Sequence, residues 1–305
     1  MSLGIHRLIQ WFDNDAVEHD SPGIDWLRVM PFIGLHIAVL AVFWVGVSPA
    51  ALFAAALTYA LRMFAITGFY HRYFSHHSFK TSRWLQFAFA AIAATAAQRG
   101  PLWWASHHRH HHRHADSAED AHAPSRGLLW SHMGWFLDGA HFAPRRELIR
   151  DFSHYPELRF LDRFDFLPPL LAALGLFALG SWIESTMPAL QTNSWQLVVW
   201  GYVVSTIVLY HTTFTINSLA HRFGSRRYAT RDSSRNNVWL ALLTFGEGWH
   251  NNHHHFPGSA RQGFYWWEID LTWYGLKLMS WLGLIWDLKP VPARLRAARR
   301  EEQGV

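Results

Sequence analysis

The sequence predicts an all-α integral membrane protein, with four transmembrane helices in two hairpins and a cytosolic helical cap that carries a histidine-ligated metal site. Three observations lead there. Apolar residues gather into four blocks of membrane-crossing length, basic residues avoid two of the connections between those blocks, and most of the 22 histidines cluster between and beyond them.

The blocks run from Pro31 to Val47, Ala50 to Tyr70, Leu167 to Ile183 and Trp195 to Ile216. Each approaches the roughly 20 residues that cross a hydrocarbon core about 30 Å thick. A fifth block, Trp84 to Ala97, is shorter and ends at Gln98-Arg99-Gly100-Pro101. It is expected to be re-entrant or interfacial and not to span. The mean hydropathy of the chain is near zero because polar stretches of equal weight separate the blocks. Residues 1–305 are read as one unit, with histidine-rich segments at 71–166 and 217–290.

Charge supplies an independent check, since Lys and Arg collect on the cytosolic side of short loops. Of 27 Lys and Arg, two precede the first block, twelve lie between Tyr70 and Leu167, twelve follow Ile216, and Arg62 lies inside the second block. None falls near Ser48-Pro49 or in the connection 184–194. Both termini and both histidine-rich segments are therefore expected in the cytosol. Met1-Ser2-Leu3-Gly4 lacks the basic-then-apolar layout of a cleavable signal, so the first span is expected to direct insertion.

The chain contains no cysteine, which excludes disulfides, thiolate zinc sites and iron–sulfur clusters within it. Any metal must sit on nitrogen or oxygen. The sequence offers His71-Arg72-Tyr73-Phe74-Ser75-His76 after the second block and His107-His108-Arg109-His110-His111-His112 further on. After the fourth block come Asn217-Ser218-Leu219-Ala220-His221 and Gly246-Glu247-Gly248-Trp249-His250-Asn251-Asn252-His253-His254-His255. Residues three and four apart share a helix face. His108, His111 and His112 are thus expected to converge on one point, as are His250, His253 and His254. Asn217 and His221 are one turn apart, and the five-residue gap from His71 to His76 fits a helix that ends or opens there. Neutral imidazole binds iron, copper and zinc well, and nine such groups exceed the needs of one ion.

These motifs resemble those of the membrane fatty acid desaturases, specifically the stearoyl-CoA type, from about Thr67 to Trp286. The resemblance implies that His71, His76, His108, His111, His112, His221, His250, His253 and His254 hold two irons, with Asn217 reaching one of them through water. His107, His110 and His255 are then extra. It also implies O2 as co-substrate and removal of two hydrogens from adjacent carbons of a long acyl chain, at a Δ9-like position. Gln98, Trp104 and Thr213 match positions that shape the kink of the family's acyl tunnel. The CoA-contacting positions are not kept: Ser106-His107 and Gly139-Ala140 stand in their place. Acyl-CoA is the first expected substrate and acyl-lipid the second. A desaturase-like decarboxylase making a terminal alkene from a free acid is the rival within the same chemistry, and hydroxylation is a third outcome.

Reducing O2 to water takes four electrons, of which the substrate supplies two. With no cysteine, no nucleotide-binding glycine motif and no haem segment, the chain implies an external donor of ferredoxin, rubredoxin or cytochrome b5 type with a reductase. The bilayer and a fatty acyl substrate are the other expected partners, and no nucleic acid is. The expected location is a bacterial cytoplasmic membrane. A metal transporter would place ligands at the midplane of its spans, where only the isolated His36 and His211 lie.

Overall fold

The computed structural model describes residues 9, 11–16 and 23–297, so Met1 and Val305, both expected in the cytosol, lie outside the described residues. Among the described residues, four helices are long and apolar enough to cross a membrane: α1 (Trp26–Val45), α2 (Pro49–Ser75), α6 (Leu167–Thr186) and α7 (Ser194–Ser218). Between α2 and α6 come α3 (Arg83–Ala94), α4 (Pro101–His114) and α5 (Pro156–Arg163). After α7 come α8 (Val238–Leu243), α9 (His250–His255) and α10 (Leu271–Trp281).

Local capping decides where the spans begin. The Asp25 side chain accepts the Arg28 N–H at 3.2 Å, so α1 starts five residues before the apolar block and takes Arg28 into the span. Ser48 accepts the Ala51 N–H at 3.1 Å with Pro49 at the first helical position, and Asn193 accepts the Gln196 N–H at 3.0 Å to start α7. The short connections of the two hairpins lock together. Ser48 Oγ donates to Thr192 Oγ1 at 2.9 Å, and Gln196 Nε2 donates to the Val45 carbonyl at 2.9 Å. At Gly180 a Cβ would collide with the backbone of Ser194, so glycine there lets α6 and α7 approach closely.

Arg62 lies buried near the middle of α2 without cost to hydrogen bonding. It donates to the Thr58 carbonyl at 3.0 Å, to Thr206 Oγ1 at 2.6 Å and to Ser205 Oγ. These contacts tie α2 to α7.

α3 does not span. Its 12 residues cover about 18 Å at 1.5 Å per residue, short of a bilayer core. Its end reaches deep, because Ile92 and Thr95 share a small cavity with Thr58, Leu61 and Arg62. The chain then turns sharply through Ala97 and Arg99, both at positive φ, and returns as α4. For a block expected to be re-entrant or interfacial, the structure gives a short helix followed by a sharp return. Pro101 opens α4, and Asp162 of α5 accepts the N–H groups of Leu102 and Trp103 at 3.0 and 2.9 Å. A Cβ on Gly100 would strike Asp162. Burial pushes the Asp162 carboxyl up to about 7, against the hydrogen bond from the Trp103 N–H.

The principal core sits where these pieces meet. Phe69, Tyr70 and Phe74 at the end of α2, with Phe79 just past it, pack with Ala90, Leu102, Leu158 and Leu276. A two-residue antiparallel pair, Lys80 with Trp286 and Thr81 with Ile285, ties the C-terminal segment to this core. The histidine segments are held against it.

Candidate metal centre

α2 ends in a π-helical stretch, Ile66–Ser75. Its wider turn brings positions five apart onto one face, so His71 falls within the helix and His76 just past it, with ring centroids 4.9 Å apart. The helix opens where the spacing required.

Among the described residues, nine histidines form two groups, each with one ring nitrogen per residue lying within 4.8 Å of the others. One group is His71, His76, His108, His112 and His253; the other is His111, His221, His250 and His254. Within the first, Nε2 atoms pair at 3.0 Å (His71–His253), 2.9 Å (His76–His108) and 2.9 Å (His112–His253). Within the second, His221 and His250 Nε2 atoms are 3.0 Å apart, and those of His111 and His254 are 3.4 Å apart. The groups adjoin, since the rings of His112 and His254 are 4.5 Å apart.

This corrects one expectation. The three histidines of each HxxHH spacing do not converge on a single point. On α4, His108 and His112 serve the first group and His111 the second; on α9, His250 and His254 serve the second and His253 the first. A step of three residues turns the helix about 300° and a step of four about 400°, so the third position diverges enough to meet a different partner helix.

The ring nitrogens facing away from each group hold the tautomers. Nδ1–H of His254 donates to Asp232 Oδ2 at 2.8 Å and that of His111 to Asp120 Oδ2 at 3.0 Å, while His221 Nδ1 lies 3.1 Å from Asp116 Oδ1. His71 Nδ1 contacts Glu247. The Nε2 lone pairs of His111 and His254 must then point at one another, 3.4 Å apart. Lone pairs repel at that distance unless a cation lies between them, and two nitrogens bound side by side at about 2.1 Å from a metal are separated by about 3 Å. The residues therefore fit a metal pair. Four carboxylates behind the imidazoles would offset the charge of two divalent ions.

Burial keeps the rings neutral, as ligands must be. It holds His108, His112, His250 and His253 well below the usual histidine range, with the neighbouring imidazoles acting in the same direction. His254 is pushed down to about 4 by burial, against the pull of Asp232. His107, His110 and His255 stand outside both groups. Two of them bond to backbone, His107 to the Ala143 carbonyl at 3.0 Å and His255 to the Leu295 carbonyl at 3.1 Å, while His110 stacks on His114.

A cavity of about 460 Å³ runs beside the groups, lined by His71, His108, His111 and His250 together with Gln98, Trp104, Thr213 and Asn217. Its volume suits a ligand-binding pocket. Gln98 Nε2 donates to Thr213 Oγ1 at 2.8 Å, and the Trp104 ring stacks on His108 at 5.0 Å. The same cavity touches Asn14, Arg28, Arg99 and Asp165. Arg28 and Arg99 both donate to Asn14 Oδ1, at 2.5 and 3.2 Å, and Arg99 pairs with Asp165 at 3.3 Å.

Sequence reasoning missed the carboxylates Asp116, Asp120, Asp232 and Glu247, the buried Arg72 and His122, and the polar group around Arg28. A ligand imidazole requires a partner for its other nitrogen, and Asp116 and Asp120 follow His112 by four and eight residues. That signal was available.

Two adjoining imidazole groups, walled by an apolar cavity and held at the end of membrane spans, define a membrane oxidoreductase with the capacity for a dinuclear metal centre. The chain belongs to the fatty acid desaturase family, whose pattern it matches over residues 43–279. It is 37% identical over 275 residues to the sn-1 stearoyl-lipid 9-desaturase of Anabaena variabilis, covering 88% of this chain and 95% of that one. It is 37% identical over 278 residues to Delta-9 acyl-lipid desaturase 2 of Arabidopsis thaliana, covering 90% and 86%. With Acyl-CoA 5-desaturase AL21 of Anemone leveillei it shares 39% over 272 residues, covering 86% and 78%. The family carries O2-dependent, di-iron desaturation of fatty acyl chains, and the multi-pass fold gives that chemistry a membrane setting.

Proposed function

We propose that the chain desaturates a long acyl chain at a Δ9-like position, with His71, His76, His108, His112 and His253 holding one iron and His111, His221, His250 and His254 the other. The observation that carries this reading is the convergence of Nε2 atoms in two adjoining groups on the wall of one cavity. Iron, when bound, supplies the O2-derived oxidant needed to remove hydrogen from an unactivated methylene. The protein's own residues do the rest. Trp104, Gln98 and Thr213 bend the acyl chain so that one segment faces the histidines, and Asn217, one turn before His221, orients water at the second group. The apolar walls exclude bulk water.

The acyl carrier we propose is a membrane lipid. Arg28 and Phe166 lie at the starts of α1 and α6 and line the cavity, which would set a lipid head at the membrane surface. The Anabaena and Arabidopsis relatives named above are lipid desaturases. An acyl-CoA is the second reading, favoured by the Anemone relative and by the two guanidinium groups. Electrons come from an external ferredoxin, rubredoxin or cytochrome b5 type donor, the termini and histidine segments face the cytosol, and residues 1–305 act as one unit.

The test is to supply the iron-loaded enzyme and a reducing system with acyl-lipid, acyl-CoA and free acid, then locate double bonds by mass spectrometry. An internal alkene at carbon 9 of the lipid-bound chain is expected. A terminal alkene one carbon shorter, formed from free acid, would replace this reading with decarboxylation.

A further inference from the structure

We infer that the two segments flanking the last histidine box enter the membrane without spanning it, with α8 and α10 lying in the hydrocarbon of the leaflet on the histidine side.

The argument begins with length. α10 has 11 residues, about 16 Å, and cannot cross a core about 30 Å thick. Yet it is apolar on both faces. Thr272, Leu276 and Met279 face inward and are buried, while Leu271, Tyr274, Leu278 and Trp281 form an outward stripe at 40, 45, 53 and 74% exposure. A polar outer face is what water would demand.

Depth follows from contacts with α2. That helix has 27 residues, about 40 Å, of which a 30 Å core covers about 20 residues. However the core is placed along it, residues 56–68 are always inside. Thr67 Oγ1 bonds Thr272 Oγ1 at 2.6 Å, Gly275 lies against the Phe64 ring, and Tyr59 O–H donates to the Leu243 carbonyl at 2.6 Å. All three α2 residues belong to that inner window. The end of α8 and the first turns of α10 are therefore at hydrocarbon depth.

The surroundings agree. Trp239 in the first turn of α8 and Trp281 at the end of α10 are among the most exposed aromatic residues, at 73 and 74%, and large apolar rings left bare in this way suit contact with lipid. Lys277, the one charged residue in α10, holds its ammonium within 5.8 Å of the Trp281 ring, a cation–π contact that offsets part of the cost of a charge beside lipid. The partner is the bilayer itself, continuous with the lipid around α2. This reading withdraws part of segment 217–290 from the cytosol.

Because the chain has no cysteine, single labels are unambiguous. Leu278→Cys, Tyr274→Cys and Leu243→Cys would each carry a nitroxide in liposomes of phosphatidylcholine and phosphatidylglycerol, with collision rates measured against oxygen and a water-soluble nickel chelate. Leu174→Cys on α6 is the lipid reference and Glu119→Cys the water reference. The oxygen-to-nickel ratio is expected to match Leu174 and to exceed Glu119 several-fold at all three sites. Each variant is checked for metal content and monodispersity, and the sites are independent, so one that misfolds leaves two to decide. Ratios like that of Glu119 at two folded sites would overturn the insertion.

Discussion

Arg72 donates two hydrogen bonds to Asp270, at 2.9 and 3.0 Å, with both side chains buried beside His71. The same guanidinium reaches Glu247 at 3.1 Å, and Glu247 contacts the His71 ring. Arg72→Met would strand two buried carboxylates, an effect of about 3–5 kcal/mol when one partner of such a pair is removed. Thermal unfolding in detergent should show a large loss, larger than for Arg83→Met at the exposed pair with Glu157.

The division of each HxxHH box between two groups has its own signature in metal content. His108→Ala with His112→Ala removes two of five nitrogens from the first group, and His111→Ala with His254→Ala removes two of four from the second. At saturating iron each double variant should retain about half of the wild-type iron by elemental analysis, whereas His107→Ala and His255→Ala should retain all of it. Equal and total loss from both double variants would mean that the groups act as one site.

The carboxylates behind the rings predict a different phenotype. Asp232→Asn and Asp120→Asn leave every proposed ligand in place but weaken the hold on His254 and His111. Such outer partners typically contribute tenfold to a hundredfold in metal affinity or activity. Chelator competition should release iron sooner from both variants than from the wild type, with no change in the number of ions bound at saturation.

Acidification should destabilise the metal-free protein. Burial holds His76, His108, His112, His250, His253 and His254 below their ordinary value in the folded state, so the unfolded chain binds protons first as the pH falls below about 6.5. The stability they contribute is complete above that pH and is lost as the pH falls toward the folded value, about 4 for His254. A midpoint temperature that is level from pH 7 to 8 and declines from 6.5 toward 4 is expected; a rise on acidification would contradict the assignment of buried neutral rings.

The Gln98–Thr213 hydrogen bond joins the α3–α4 turn to α7 across the cavity. Thr213→Val keeps the volume but breaks that bond and leaves the Gln98 amide unpaired. Product analysis should show a mixture of double-bond positions at similar total turnover if the bond shapes the bend in the acyl chain.

Much of this centre is legible in the sequence because it is written in local spacing. Spans, boxes and the short block ending at Gln98 depend on runs and intervals that neighbours cannot disguise. The partition of the boxes is different in kind. Whether His253 joins His254 or faces away from it depends on His71 and His112 standing opposite, a relation set by packing between distant helices. Asp232 lies in a loop with no periodicity to mark it, and the apolar stripe of α10 is too short to register as a membrane segment by length.

The sharing of α4 and α9 between both groups also bears on how the centre is assembled. A helix that donates ligands in two directions is oriented by whichever ion arrives first, and its remaining rings are then already aimed at the empty neighbour. Occupancy of one position thus favours occupancy of the other, and half-loaded protein should be the scarcest species during maturation. Iron supply would act on this enzyme as a threshold, switching molecules between empty and complete.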